Sequence, residues 1–379
     1  MASFYNPVKI LWGINKIDEL SHIVENLYTN INRILILTGS KSLKQSGYLD
    51  KILSHFGDKE VLTYSNIPSN PEISDIYDIK TKTDSFNYDM IISIGGGSVL
   101  DVGKCLVAFK NMNIESIEIL ETNIISKNYQ KYNIDTPIMA IPTTSGTGSE
   151  VTCWATVWDK VNNKKYSVED KRIYPKIAVI DPILTMNLPL NLTASTALDA
   201  LSHALEAYWS KKSNEIVRLY ASKSIELIVN NMNDLLDDLS NLELREKIAQ
   251  GSLYAGLAFS NTKTTACHSI SYPLTAKYNI PHGIATSMTL NKFLNINNES
   301  IIDKSELLKS FNVERISEVE EVINNIYNKA GISYKLRDYG VEERDINFIV
   351  KHSFTPDRMN NNPVKITEEI LTRVLKDIY

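Results

Sequence analysis

Three of the six histidines in this chain stand in apolar surroundings, while His22, His55 and His352 lie among charged or polar residues. In "LDALSHALEAYW" Asp199 precedes His203 by four positions, which puts a carboxylate and an imidazole on one face of a helix. His268 and His282 flank the apolar, proline-broken stretch of "TTACHSISYPLTAKYNIPHG". His268 falls in a segment of helical apolar spacing, and His282 sits between Pro281 and Gly283, where a turn could aim its ring back into a cleft. One carboxylate and three imidazoles form a set suited to Zn²⁺ or Fe²⁺, and such a site can accept a substrate oxygen as a further ligand. Taken alone, Asp199 and His203 are equally readable as a helix surface pair or a satisfied core histidine.

Two further stretches suit a phosphate-bearing cofactor. In "YDMIISIGGGSVLDVGK" an apolar strand ends in Gly95, Gly96 and Gly97, and Ser98 opens an amphipathic helix, so backbone N–H groups and the positive helix end converge. "AIPTTSGTGSEVT" repeats the layout with Thr143, Thr144, Ser145, Gly146, Thr147, Gly148 and Ser149, whose small hydroxyls can donate to phosphate or ribose. A lone glycine-rich turn is often only a tight connection; two in one α/β domain suggest a nucleotide with an extended diphosphate. After the strand "ILILTG" come Gly39, Ser40 and Lys41 and no acid, which favours NADPH over NADH, plain turn chemistry being the alternative.

These residues need a scaffold of two textures. Up to residue 183, short β-branched runs alternate with amphipathic stretches, the pattern of βαβ units feeding a Rossmann-like parallel sheet. "KVNN" between "TVWD" and "KKYSV" reads as the turn of an inserted hairpin. From residue 184 the runs lengthen to helical spacing, so 1–183 is expected to be a dinucleotide-binding α/β domain and 184–379 an all-α metal-binding and catalytic domain. At 379 residues and 43% hydrophobic content the chain can bury a large core. A formal net charge of −5 argues against general nucleic-acid binding. Cys105, Cys153 and Cys267 show no paired spacing, and neither a signal segment nor a long apolar run is evident, so a cytoplasmic protein without membrane contact is expected.

The combination "GGGSVLD", "PTTSGTGSEVT", "DALSHALEAY" and two histidines separated by thirteen residues ending in "IPHG" resembles the iron-containing, or group III metal-dependent, alcohol dehydrogenase family. The similarity runs over nearly the whole chain, including "NIPSNPE" with Asn70 and "AGLAFSN". It implies a dehydroquinate synthase-like architecture, a cleft between two domains, and a homodimer or larger homo-oligomer. It further implies that Asp199, His203, His268 and His282 hold Fe²⁺ or Zn²⁺. By the same resemblance Asn70, Gly95, Gly96, Gly97, Ser98 and Asp101 match the diphosphate side of an NADPH or NADH site. Thr143, Thr144, Gly146, Thr147 and Ser149 match its second loop.

Where many members of that family carry a second histidine four residues after the third ligand, this chain has Tyr272, which can donate through its phenol or fill the space. Lys263, Thr264 and Thr265 replace small apolar residues, and Lys164, Lys165, Tyr166 and Arg172 surround the hairpin. Those donors could hold an anionic group on a short aldehyde, or face solvent. "ATVWD…KKYS" with "KTTACHSISYPLT" resembles the branch of phosphonoacetaldehyde reductases, which implies reduction of phosphonoacetaldehyde to 2-hydroxyethylphosphonate. The alternatives are a general short-chain alcohol, aldehyde or diol dehydrogenase, a dehydroquinate synthase-like lyase, and a non-catalytic assembly protein.

Overall fold

The apolar runs of the first half become strands of one parallel sheet. A computed structural model of the chain describes residues 3–27, 30–39, 42–160, 162 and 164–379, with the side chains of Leu27 and Ser42 outside the description. Along the chain come β1 (Lys9–Trp12), α1 (Leu20–Leu27), β2 (Arg33–Gly39), α2 (Ser42–Gln45), α3 (Tyr48–Ser54), β3 (Glu60–Ile67) and α4 (Ile73–Thr83). They are followed by β4 (Met90–Gly95), α5 (Gly97–Phe109), α6 (Ile117–Ser126), β5 (Ile138–Pro142), β6 (Trp154–Asp159), β7 (Lys164–Glu169) and β8 (Ile177–Ile180). Six strands pair in parallel in the order β1-β8-β5-β4-β2-β3, and β6 with β7 forms an antiparallel hairpin in which Asp159 opposes Lys164.

Both faces of the sheet are buried, which is why its strands read as continuous apolar runs rather than alternating ones. Period-two geometry divides them: Leu35, Leu37 and Ile91 join the core under α4, α5 and α6, while Ile34, Ile36, Met90, Ile92 and Ile94 join the core on the side of α1 and α3. From β2 the chain moves outward to β3, whereas from β4 it moves the other way to β5. The adjacent carboxyl ends of β2 and β4 are therefore a topological switch point, where open parallel sheets place their ligands. Gly39 and Gly95 lie at those two ends.

The chain folds into two compact units: a sheet unit, Pro7–Thr144 with Ser149–Asn187, and a helical unit, Met1–Asn6, Ser145–Gly148 and Leu188–Tyr379. The helical unit contains α7 (Leu190–Trp209), α8 (Glu215–Asp237), α9 (Leu242–Thr262), α10 (Ala266–Tyr278), α11 (His282–Ser287) and further helices to Glu368–Asp377. Alanine and leucine dominate α7, and asparagine side chains cap the two long helices after it: Asn214 Oδ1 accepts from Val217 N at 3.1 Å, and Asn241 Oδ1 from Leu244 N at 3.1 Å. The proline does not break the run between His268 and His282. α10 continues through Pro273, and the chain turns at Asn279, whose φ of 54° is left-handed. Among the described residues no helix is long and apolar enough to cross a membrane.

Behind the glycine loop of the sheet unit lies a lysine that the sequence does not mark. Lys104 is fully buried, and its Nζ donates to Ser149 Oγ at 2.7 Å, Thr152 Oγ1 at 2.9 Å and the Trp154 carbonyl at 2.9 Å. Three acceptors are what make a buried ammonium tolerable. Glu150, next to Ser149, is also buried, and burial pushes its carboxyl up to about 7, offset in part by a backbone hydrogen bond and by Lys104. Because the folded carboxyl holds its proton more tightly than the ordinary 4.5, ionisation favours the unfolded chain, and stability falls as pH rises between those two values. Glu150→Gln should flatten that slope in denaturant unfolding measured across the window and gain at most ~3 kcal/mol above it. Parallel pH profiles for the two proteins would show that Glu150 is ionised without cost.

Candidate metal centre and cofactor loops

α7 runs almost wholly buried from Thr193 to Trp209, and three of its residues, Asp199, His203 and Glu206, bring charge or imidazole into that interior along one side of the helix. α11 approaches α7 at Gly283, where a Cβ would run into the Ser195 carbonyl and lie 3.0 Å from Asp199 Cβ, so only glycine allows His282 this close to Asp199. Asp199, His268 and His282 each bring one ligand atom within 4.8 Å of the others. His203 stands beside them, its Nε2 2.9 Å from His268 Nε2 and its Nδ1 3.9 Å from Asp199 Oδ2, with the ring stacked on Phe259 at 4.0 Å between centroids.

The hydrogen bonds around these rings orient them. Ser271 Oγ donates to the His268 carbonyl at 2.8 Å, which leaves its lone pair for His282 Nδ1 at 3.4 Å. That arrangement puts the proton on Nδ1 of His282 and frees Nε2. His268 Nδ1 is hydrogen-bonded to Glu206 Oε2, so its Nε2 faces His203 and, at 3.6 Å, Asp199 Oδ1. Burial alone would raise the Asp199 carboxyl, but His203, His268 and His282 together hold it well below the usual carboxylate range. Burial pushes the His203 imidazole down to about 4, so it is neutral. Burial would also lower His268, yet Glu206 and Asp199 overcome it and raise the ring to about 9.

This donor set fits a divalent metal ion. Two imidazole nitrogens face each other at 2.9 Å in a buried place beside an ionised carboxylate, and His203 Nδ1 has no hydrogen-bond partner. Without an ion, the proton that His268 retains can bridge the two rings; a divalent cation displaces it and takes both nitrogens as ligands. Asp199, His203, His268 and His282 could hold such an ion. Glu206, which spacing alone did not single out, bonds one of these rings, that of His268, and the backbone beside it. Its signal was present: it lies three residues after His203 and seven after Asp199, on the same side of the helix.

The cofactor residues group in the sheet unit and in Ser145–Gly148. Gly95 cannot carry a side chain, since a Cβ there would lie 2.5 Å from Val99 Cγ2 at the start of α5. Asn70, with a left-handed φ of 54°, donates its N–H to Ser98 Oγ at 3.0 Å, and Thr143 N donates to the Gly95 carbonyl at 3.0 Å. Gly96 is the N-cap of α5, with Gly97 and Ser98 as the first two helical residues and Thr144 as its neighbour at 3.5 Å from a Cβ. Asp101 and Ser149 meet each other: Ser149 Oγ donates to Asp101 Oδ1 at 2.6 Å, and Thr156 N donates to Asp101 Oδ2 at 2.8 Å. Within the helical unit, Gly146 lies against Thr196 of α7 and Gly148, at φ 58°, against Gly256 of α9, with Thr147 between them. Gly39 ends β2 with open space around its Cβ position, and Ser40 lies outside the described residues.

The substrate candidates separate. Arg172 is consumed by its own neighbourhood, with Nε and Nη2 on Asp170, Nη1 on the Tyr132 carbonyl and Nη2 also on the Gln130 carbonyl. It anchors the chain after the hairpin, and the donors it was expected to offer a substrate are engaged. Lys165 lies over the Trp158 ring at 6.0 Å. Lys263 is different: it ends α9 at φ 63° and ψ 178°, a region essentially reserved for glycine. Thr264 is buried, and Asn361 Nδ2 bonds the carbonyls on either side of Lys263, Thr262 O at 2.9 Å and Thr264 O at 3.0 Å. Tyr272 lies parallel to His282 with centroids 6.5 Å apart.

Known proteins resemble this chain over nearly its whole length. Residues 7–182 match the profile of the iron-containing alcohol dehydrogenase domain, and 193–379 that of the Fe-containing alcohol dehydrogenase family, C-terminal. The 1,3-propanediol dehydrogenase of Klebsiella pneumoniae is 30% identical over 91% of each chain. The NADPH-dependent butanol dehydrogenase of Clostridium saccharobutylicum is 26% identical over 100% of this chain and 98% of its own. The crystal structure of sulfoacetaldehyde reductase from Bifidobacterium kashiwanohense in complex with NAD⁺ superposes with a TM-score of 0.88 at 28% identity, covering 100% of this chain and 98% of that one. With both profiles spanning nearly the entire sequence, the chain belongs to the iron-containing alcohol dehydrogenase family and is an NAD(P)-dependent, metal-containing oxidoreductase acting on alcohols.

Proposed function

We propose that this enzyme reduces a short aldehyde bearing a tetrahedral anion, phosphonoacetaldehyde fitting best, with Asp199, His203, His268 and His282 as the metal ligands and NADPH as the reductant. When bound, the metal supplies a Lewis acid for the carbonyl oxygen and the nicotinamide supplies the hydride. The chain's own residues do the rest. Ser271 and Glu206 hold His282 and His268 with their Nε2 lone pairs directed inward, and burial keeps His203 neutral. Asp199 stays ionised among the three rings, and α7 with α10 buries His203 and His268 while His282 stays partly open. Gly95, Gly96 and Ser98 offer the N-terminal end of α5 to a diphosphate, and the open space at Gly39 suits a 2′-phosphate.

The observation that carries the substrate reading is the backbone of Lys263. A non-glycine residue in that conformation costs about 1–3 kcal/mol, and such strain is kept where surrounding structure over-determines it, often at ligand clamps. Here the strain fixes a cation five residues before His268. Its pairing with the exposed Asp357, at 3.8 Å, is worth no more than about 1 kcal/mol, so a substrate anion can compete for Nζ. Sulfoacetaldehyde, named for the structural neighbour, is itself a short aldehyde with a tetrahedral anion. The butanol and 1,3-propanediol dehydrogenases among the relatives favour a second reading, a general short-chain alcohol or diol dehydrogenase. Three buried free cysteines suit a reducing, cytoplasmic setting, and a homodimer or larger homo-oligomer completes the proposal.

Two experiments test it. His268→Ala should abolish both metal retention and turnover while leaving NADPH binding to the sheet unit, measured by nucleotide fluorescence, within a few-fold of the parent. Retained metal would exclude His268 as a ligand. In initial-rate assays of the metal-loaded enzyme, kcat/KM for phosphonoacetaldehyde should exceed that for acetaldehyde and lactaldehyde by orders of magnitude. Lys263→Ala should erase about 2–3 kcal/mol of that preference, chiefly through KM. Equal rates with the neutral aldehydes would leave the general dehydrogenase reading in place.

A further inference from the structure

Glu206 is wholly buried on α7 and meets the metal centre only through His268. Its Oε1 accepts from the backbone N–H of Thr265 at 3.0 Å, of Cys267 at 2.9 Å and of His268 at 3.4 Å, and from the Thr265 hydroxyl at 2.6 Å. These amides sit at the start of α10, whose N-cap side chain, that of Thr265, makes no capping bond of its own. A carboxylate from a neighbouring helix therefore does the capping, and the positive helix end balances its charge.

The direction of every bond in this cluster can be assigned. Trp209 Nε1 can only donate, and it donates to Thr265 Oγ1 at 2.9 Å, so the Thr265 hydroxyl hydrogen points to Glu206. With backbone N–H groups and a hydroxyl all donating to it, Oε1 is an acceptor. Oε2 is then the acceptor for His268 Nδ1–H. The proton on Nδ1 is thereby fixed, and Nε2, the nitrogen left to bind an ion once its own proton is displaced, is turned toward His203 and Asp199.

From this geometry we infer that Glu206 is a positioning residue for the metal centre, fixing both the tautomer and the ring orientation of His268 through a chain that runs Trp209, Thr265, Glu206, His268. The inference rests on His268 being a ligand, as proposed above. It separates two contributions that Glu206 makes: its charge attracts a cation, and its two oxygens join the α10 backbone to one ring nitrogen. Glu206→Asp keeps the charge but withdraws the carboxylate by a methylene. Glu206→Gln keeps an acceptor for the amides but turns an N–H₂ donor on Nδ1, which favours the tautomer that protonates Nε2.

The test is chelator competition for Co²⁺ and Zn²⁺ on the full-length protein, with the ligand-field spectrum of bound Co²⁺ as the second readout and the metal-free circular dichroism melt as the fold control. Positioning predicts that Glu206→Gln and Glu206→Asp both lose about 10–100-fold in metal affinity, with an altered Co²⁺ band per bound ion. Simple loss of stability would lower the amplitude of an unchanged band. Parental affinity and band shape in either folded variant would overturn the inference, and rescue by aspartate alone would reduce Glu206 to a charge. His268→Ala serves as the reference. If it retains metal while the Glu206 variants lose it, the ligand assignment fails and the inference falls with it; if it loses metal while they do not, only the inference fails.

Discussion

Two carboxylates buried seven residues apart on α7 set the terms for the rest of the helical unit. An ionised carboxylate in an apolar interior is unstable unless matched, and each of these is matched differently. Asp199 is met by three imidazoles, and Glu206 by the amide end of α10. Those two requirements together fix where α10 begins, and hence where His268 stands. They also explain why α11 presses on α7 so closely that Gly283 has no room for a Cβ. Replacing one of the charges would leave its partners unsatisfied rather than merely removing a contact.

The sheet unit uses the same logic with the signs exchanged. Lys104 is the buried cation, and its acceptors are the hydroxyls and carbonyl of the chain just after the second loop. Asp101, one helical turn earlier, receives Ser149 Oγ and Thr156 N. The two residues therefore lock α5 to the strand that starts the hairpin. Asp101 and Ser149, which resemblance places in the cofactor loops, bond each other as well as Thr156 N and Lys104 Nζ. They shape the loop beside the N-terminal end of α5.

Much of this was legible in sequence because it depends on local spacing. The parallel sheet follows from uninterrupted apolar runs, the hairpin from its turn, and the shared helix face of Asp199 and His203 from an i, i+4 spacing. What was not legible depends on pairing across long separations. Glu206 shares a helix face with Asp199 and His203, but the partners that bury and use it lie 59 to 62 residues later. Lys104 goes unmarked for the same reason, its acceptors lying 45 to 50 residues on. Arg172 was singled out for its charge, but its own fold took up the donors. Pro273 suggested a break, whereas the surrounding helix tolerates it and the turn falls at Asn279.

The segment from Thr262 to His268 shows how Lys263 and His268 are held by one set of bonds. Its far end is held by Glu206, through the amides of Thr265, Cys267 and His268. Its near end is held by Asn361, which bonds the carbonyls of Thr262 and Thr264 and accepts from Ser210 Oγ at 2.9 Å. Asn361 is itself set by a stretch that Ser269 ties to α10, accepting from Thr355 N at 3.0 Å and donating to Ser353 O at 2.5 Å. Lys263 lies between the two clamps, and its glycine-like backbone is their joint product. A relative lacking either clamp would let that residue relax into an ordinary conformation and swing its side chain elsewhere. The backbone of Lys263 is thus a property of the clamped segment, set by the same bonds that fix the start of α10 and the place of His268 five residues on.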